Sequence, residues 1–285
     1  MIALVQASAA AGTAPAALTA ITGLAYLLAA SLFIFGLKRM SSPDTARSGN
    51  RLGATGMLLA VVVTLLHHEI VSFQWIVIGL VIGSAIGAYL ARTVRMTGMP
   101  QMVGMLNGFG GAASVLVAGA EFIRGPALQL DALITAALSV LVGAVTFSGS
   151  MVAAGKLHGV IRGRSITFPL QNTLNLLVFL AIVAAGVWLV VDGVSTTPLW
   201  TLIALALVLG VLLTIPVGGA DMPVVISLLN SYSGLAAAMT GFVVHNIGLI
   251  ISGALVGAAG IILTGIMCAA MNRSLLAVFL GTAKT

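Results

Sequence analysis

Apolar runs of helix-forming length dominate this sequence and restrict its fold more than any other feature. A hydrocarbon core about 30 Å thick is crossed by roughly 20 residues of helix. About nine runs fit, within a few residues at each end: Ala16–Leu37, Leu52–Leu66, Phe73–Leu90, Met99–Ala120, Ala132–Ala154, Leu170–Val191, Leu199–Val217, Met222–Val244 and Ile247–Ala270. The second is the shortest. Only 6% of the residues are charged and 60% are hydrophobic, with a mean hydropathy of +1.20, against about 25% charged in an ordinary globular protein. So few charges cannot cover a water-facing exterior, which excludes a cytosolic enzyme, a nucleic-acid binder and a secreted disulfide module. The expected fold is all-α, a polytopic membrane helix bundle of about nine transmembrane helices.

The charges that remain are ordered. The net charge of +6 comes from twelve basic and six acidic residues, and the basic ones fall in alternate loops. One set holds Lys38, Arg39, Arg47, Arg51, Arg92, Arg95, Lys156, Arg162, Arg164, Arg273 and Lys284; the other holds only Arg124. Cytoplasmic loops are enriched in Lys and Arg, so the alternation predicts the N-terminus outside and the C-terminus in the cytoplasm. No basic residue precedes Lys38, so the first run lacks the basic region of a cleavable signal and is retained. The single cysteine, Cys268, lies in an apolar run and reads as a small buried hydrophobe.

A stretch of sequence occurs twice. Met99-Pro100-Gln101-Met102-Val103-Gly104-Met105-Leu106-Asn107-Gly108-Phe109-Gly110-Gly111 aligns without a gap with Met222-Pro223-Val224-Val225-Ile226-Ser227-Leu228-Leu229-Asn230-Ser231-Tyr232-Ser233-Gly234. The following spans match as well, Leu141-Val142-Gly143-Ala144 against Leu255-Val256-Gly257-Ala258. Both Met-Pro helices enter from the same side, so the internal repeat is parallel.

Each repeated helix carries its asparagine about 12 Å deep at 1.5 Å per residue. Ser227 and Gly234 share a face with Asn230; Gly104, Gly111 and Ser114 share one with Asn107. Two readings stand: a small-residue stripe with an amide as interhelical glue, or a polar pathway holding a file of water. Asp221 is the only acid set on the cytoplasmic side against a membrane helix. It is at the N-cap position with Pro223 in the first turn, where it acts either as a plain helix cap or as a group that gathers protons at a mouth. His67, His68 and Glu69 point in different directions on a helix, which disfavours a metal site, and His158 and His245 read as loop residues. Gln171, Asn172 and Asn175 read as a helix start in the headgroup region. No histidine or acid lies at the centre of a span, so any titrating relay is expected from another chain.

The string Gly218-Gly219-Ala220-Asp221-Met222-Pro223-Val224-Val225, continued by Leu229-Asn230-Ser231-Tyr232-Ser233-Gly234, resembles the membrane domain of the beta subunit of proton-translocating nicotinamide nucleotide transhydrogenase. Met99-Pro100, Gly143-Ala144-Val145-Thr146-Phe147, Gly253-Ala254-Leu255-Val256-Gly257, Met267-Cys268 and Met271-Asn272-Arg273-Ser274 extend the likeness from the third span to the C-terminus. The resemblance implies a bacterial inner-membrane protein whose helices, with those of an alpha subunit, couple proton movement to hydride transfer between NAD(H) and NADP(H) bound in other domains. It implies an assembly in which the whole complex is a dimer. It also implies a division into a short extension at 1–15, a transmembrane proton-conducting domain at 16–270 and, at 271–285, the start of a cytoplasmic linker to an NADP(H)-binding domain that the sequence does not contain. No cofactor or metal is expected on this chain, which is not expected to transfer hydride by itself.

By the same resemblance the proton path involves Asp221, Asn230, Asn107, Ser227 and Ser114, and Arg273 sits at the hinge to the nucleotide domain. Arg273 on the last span is expected to pass the state of that domain to Asp221. Many family members place a histidine at the position of Asn107, which cannot titrate usefully. A histidine from an alpha-subunit helix is therefore expected to face Asn107 and Asn230. The competing classes are a secondary transporter of a small solute, which calls for a midplane cavity with charged groups, and a purely structural scaffold.

Overall fold

The computed structural model describes residues 16–67, 73–124, 128–275 and 278. The extension at 1–15, His68 and Glu69 of the histidine cluster, and Lys284 lie outside the described residues. Among the described residues there are nine helices long and apolar enough to cross a membrane: α1 (Ala16–Met40), α2 (Pro43–His67), α3 (Gln74–Thr93), α4 (Met99–Arg124), α5 (Leu130–His158), α6 (Gln171–Asp192), α7 (Thr197–Thr214), α8 (Met222–Val243) and α9 (Ile247–Ala270). The short second span is extended toward its N-terminus, because Pro43 at the first helical position and Asp44 in the first turn start a helix well before the apolar part. Helices α5 and α6 stop at Gly159 and Gly193, both left-handed with φ of 84° and 66°, the conformation that glycine takes without a Cβ penalty.

The chain divides into two compact units, Met1–Ala85 and Ile86–Thr285. In the first, α1 and α2 pack antiparallel along small residues: a Cβ on Gly56 would meet the Ala29 carbonyl at 3.0 Å, and one on Gly36 the Gly49 carbonyl at 3.0 Å. The Tyr26 hydroxyl and Thr64 Oγ1 lie 2.9 Å apart across the pair. Helix α3, where the division falls, buries no residue. Large apolar side chains such as Trp75, Leu80 and Val81 stand exposed on it, a surface compatible with lipid and not with water.

In the second unit α5 is central, packing on α4, α6, α7 and α8. One apolar core runs between α4, α5, α6 and α7, with Val140, Ile182, Leu189, Leu199 and Leu202 almost fully enclosed. A second gathers Ala153 at the end of α5, Met222, Val224 and Val225 at the start of α8, Cys268 on α9, and Val278 beyond it. The buried thiol of Cys268 is a core atom, as its apolar run predicts.

The repeat is also a repeat of structure. A 3₁₀ turn, Met96–Gly98 or Gly219–Asp221, precedes each Met-Pro helix. The residue before each turn is extended, with φ and ψ of −72° and 154° at Arg95 and −69° and 151° at Gly218. Each helix then packs antiparallel on its successor through the repeated glycines. A Cβ on Gly111 would lie 2.6 Å from the Gly143 carbonyl, and one on Gly234 would lie 2.4 Å from the Gly257 nitrogen. Backbone contact at that distance admits only glycine, as small-residue interfaces in membranes require. Gly234→Leu is therefore expected to cost about 3 kcal/mol through overpacking, read as a lower melting temperature in detergent. Gly83→Ala on α3, where nothing lies within 4 Å, is expected to hold or raise that temperature.

Candidate functional site

Polar groups in the second unit collect at two levels of α8. The first is its start. Asp221 ends the 3₁₀ turn and occupies the N-cap position, yet its side chain makes no capping hydrogen bond. The plain-cap reading is thus replaced by another: Arg273, just past the end of α9, donates from Nη1 to Asp221 Oδ2 at 2.8 Å. The aspartate side chain is 10% exposed and the arginine 29%. Asp221 Oδ1 is buried without a hydrogen-bond partner among the described residues. Desolvation forces this pairing, because an acid removed from water needs a fixed cation or hydrogen bonds. Val278, buried against the same end of α8, places the chain after α9 beside the pair.

The second level is the middle of the helices. Asn107 Nδ2 donates to Ser150 Oγ on α5 at 2.9 Å, and Ser233 Oγ on α8 donates to Asn107 Oδ1 at 2.8 Å. Asn107 therefore ties three helices together. Asn230, half-buried, lines with Asn107 and Ser233 a cleft of about 340 Å³ completed by Val103, Leu106 and Gly110. Its amide makes no side-chain hydrogen bond among the described residues. The cleft is open on one flank, where Val103 and Leu106 are about half exposed.

The other two candidate hydroxyls face elsewhere. Ser227 turns toward α9, donating to the Gly260 carbonyl at 3.4 Å and accepting from Thr264 Oγ1 at 3.0 Å. Ser114 donates to the Gly110 carbonyl of its own helix at 3.3 Å. Sequence reading missed Ser150, Ser233 and Thr264. All three lie on apolar helices carrying several hydroxyls, and only the packing selects which of them meets an asparagine or a serine. Gln171, read as a headgroup residue, is buried and donates from Nε2 to the Leu212 carbonyl at 3.3 Å. His158 closes α5, with Nδ1 3.3 Å from Gln101 Oε1. Lys156, counted among the loop cations, lies in the last turns of α5 and is only 4% exposed.

Comparison with known proteins matches residues 22–285 to the model of the NAD(P) transhydrogenase beta subunit family. Two relatives named NAD(P) transhydrogenase subunit beta, both from Rhodospirillum rubrum, are 46% identical over 269 residues. The alignment takes in 92% of this chain and 58% of each relative, so the chain spans under two thirds of their length.

The two asparagines separate stability from any other role. Asn107→Leu strips partners from Ser150 and Ser233 and is expected to cost about 1–3 kcal/mol. Asn230→Leu, which breaks no side-chain bond, is expected to stay within about 0.5 kcal/mol of the parent. Thermal unfolding of the detergent-solubilised protein checks both.

Proposed function

The chain belongs to the NAD(P) transhydrogenase beta subunit family, a multi-pass membrane protein, and from that premise we propose that it forms the membrane proton path of a transhydrogenase. In this reading the path couples proton movement to hydride transfer between NAD(H) and NADP(H), which are bound in other domains. The N-terminus faces out and the C-terminus lies in the cytoplasm of a bacterial inner membrane. The observation that carries the proposal is the Asp221–Arg273 pair, whose Oδ1 has no partner among the described residues, at the start of the helix that holds Asn230.

The arrangement supports a chain of stations. Asp221 Oδ1 offers a buried acceptor for a proton while Oδ2 holds Arg273. Two turns deeper, Ser227 and Thr264 form a hydroxyl pair, and one turn beyond them stand Asn230, Asn107, Ser233 and Ser150. Ser114 lies two turns past Asn107. None of the groups beyond Asp221 exchanges protons near neutral pH, so they hold and orient water, and a titratable group must come from outside the chain. The open flank of the asparagine cleft suits a helix of an alpha subunit carrying a histidine. A structure of the complex with no titratable partner group within two waters of Asn107 and Asn230 would remove this part of the proposal.

Coupling requires that nucleotide state bias an element with two arrangements. Arg273 lies between α9 and the chain that follows, which in this reading leads to the NADP(H)-binding domain of a dimeric complex. A shift of that chain would move the guanidinium relative to Asp221 Oδ2. A solute transporter has less support, because among the described residues the cleft is lined by Val103, Leu106, Asn107, Gly110, Asn230 and Ser233, none of them charged.

The test is the assembled enzyme in vesicles, with hydride transfer and internal pH followed together. Asp221→Asn and Asn230→Leu are each expected to cut proton-coupled transfer at least tenfold with assembly intact. Unchanged coupling in both would leave a structural scaffold instead.

A further inference from the structure

Lys156 is the buried cation that the proton path does not use. Its ammonium donates to the carbonyls of Ile215 and Val217, the latter at 2.7 Å, with the Arg164 carbonyl at 3.5 Å. An ammonium has three protons and no acceptor, so three carbonyls satisfy it completely in place of water. No carboxylate pairs with it among the described residues. The acceptors come from two separate stretches, the residues after α7 and the loop after α5, and one side chain closes both. Taking a cation out of water is costly, and a methionine would fill similar space without that cost. Packing alone is therefore a poor account of a lysine here.

What the lysine holds is the segment that carries Asp221. The same segment has further ties to the loop after α5. Ile166 N–H donates to the Ile215 carbonyl at 3.4 Å, Ser165 Oγ donates to the Pro216 carbonyl, and Gly219 N–H donates to the Gly163 carbonyl at 2.7 Å. Every carbonyl from Ile215 to Val217 is thus engaged, and Gly219 opens the 3₁₀ turn that ends at Asp221. Pro216 has no N–H to donate, and the segment's own bonds are few: Ile215 N–H to the Val211 carbonyl at 2.9 Å, Val217 N–H to the Thr214 carbonyl at 3.2 Å and Asp221 N–H to the Gly218 carbonyl at 3.0 Å. The donors from the loop after α5 and from Lys156 add the ties that reach outside it.

We propose that Lys156 is a positioning residue that fixes residues 215–221, and through them Asp221, where Arg273 can reach it. The proposal rests on the proton-path reading for its functional consequence, but its structural part can be read independently. Because Lys156 and Asp221 lie on separate elements, the connection acts through the backbone of 215–221 and not through contact between the two side chains.

The experiment uses the assembled enzyme in vesicles, comparing the parent, Lys156→Met, and Lys156→Met carrying Gly163→Cys and Gly219→Cys, which replaces the lost tie by a disulfide. Protons moved per hydride transferred and deuterium uptake over 215–221 are measured with and without reductant. Lys156→Met is expected to lower the proton-to-hydride ratio at least fivefold and to raise deuterium uptake. The oxidised cysteine pair is expected to recover at least half of the ratio, and reductant to abolish that recovery. Full coupling in Lys156→Met, loss of coupling with unchanged uptake, or a disulfide that protects 215–221 without restoring coupling would each overturn the proposal. Should the parent enzyme transfer hydride without moving protons, the proton-path reading fails while the deuterium comparison still decides whether Lys156 holds the segment. If Lys156→Met does not accumulate in the membrane, Ser165→Ala removes a neighbouring tie with the lysine in place. It is expected to raise uptake and lower the ratio about twofold, and no change in either would contradict the proposal.

Discussion

Hydrocarbon offers no partner to a polar group, so each one carried into it must be satisfied by another part of the protein. That constraint organises the second unit of this chain. Several of its polar side chains bind between elements: Asn107 to Ser150 and Ser233, Ser139 to Thr240, Ser227 to Thr264, Asp221 to Arg273. Others, such as Ser114 and Ser148, bond to a carbonyl of their own helix. Close approach of the backbones makes the pairs between elements possible, and glycine at the repeated positions makes the approach possible. The small residues that the repeat preserves bring α4 against α5 and α8 against α9 closely enough for these pairs to form.

The two copies of the repeat share a backbone and differ in charge. Gly98 and Asp221 end equivalent 3₁₀ turns, but only the second copy has an acid there and an arginine just past the following helix to meet it. A symmetric scaffold has thus been given one charged mouth. The chain after α9 meets this end of α8 twice, through Arg273 on Asp221 and through Val278 in the apolar cluster with Met222, Val224 and Val225.

Much of this was legible in the sequence. Runs of apolar residues marked the spans because lipid tolerates little else, and the aligned Met-Pro helices marked the repeat because both copies keep the same glycine contacts. Asp221 was readable as a candidate, being an acid set at a helix start, and Arg273 through the family resemblance alone. Their direct pairing was not, since it depends on α8 and α9 packing antiparallel in one register. Lys156 shows the opposite failure. A lysine near a basic loop reads as a solvated loop residue, and only the fold reveals that its stem turns inward to three carbonyls. The partners of the hydroxyls were hidden for a related reason: Ser227 and Asn230 share a helical face by spacing, yet the packing of α9 draws Ser227 to Thr264 while Asn230 is left on the cleft. Helix periodicity gives direction to within a face, and partner choice is settled by the neighbouring helix.

The central claim is that Asp221 and Arg273 act as one unit. A double-mutant cycle in the assembled enzyme, with Asp221→Asn, Arg273→Gln and the pair together, measures it through the protons moved per hydride transferred. If the two residues form one coupling element, the double variant loses no more than the more damaging single variant. If the losses multiply, the residues act independently and the account of the mouth is wrong.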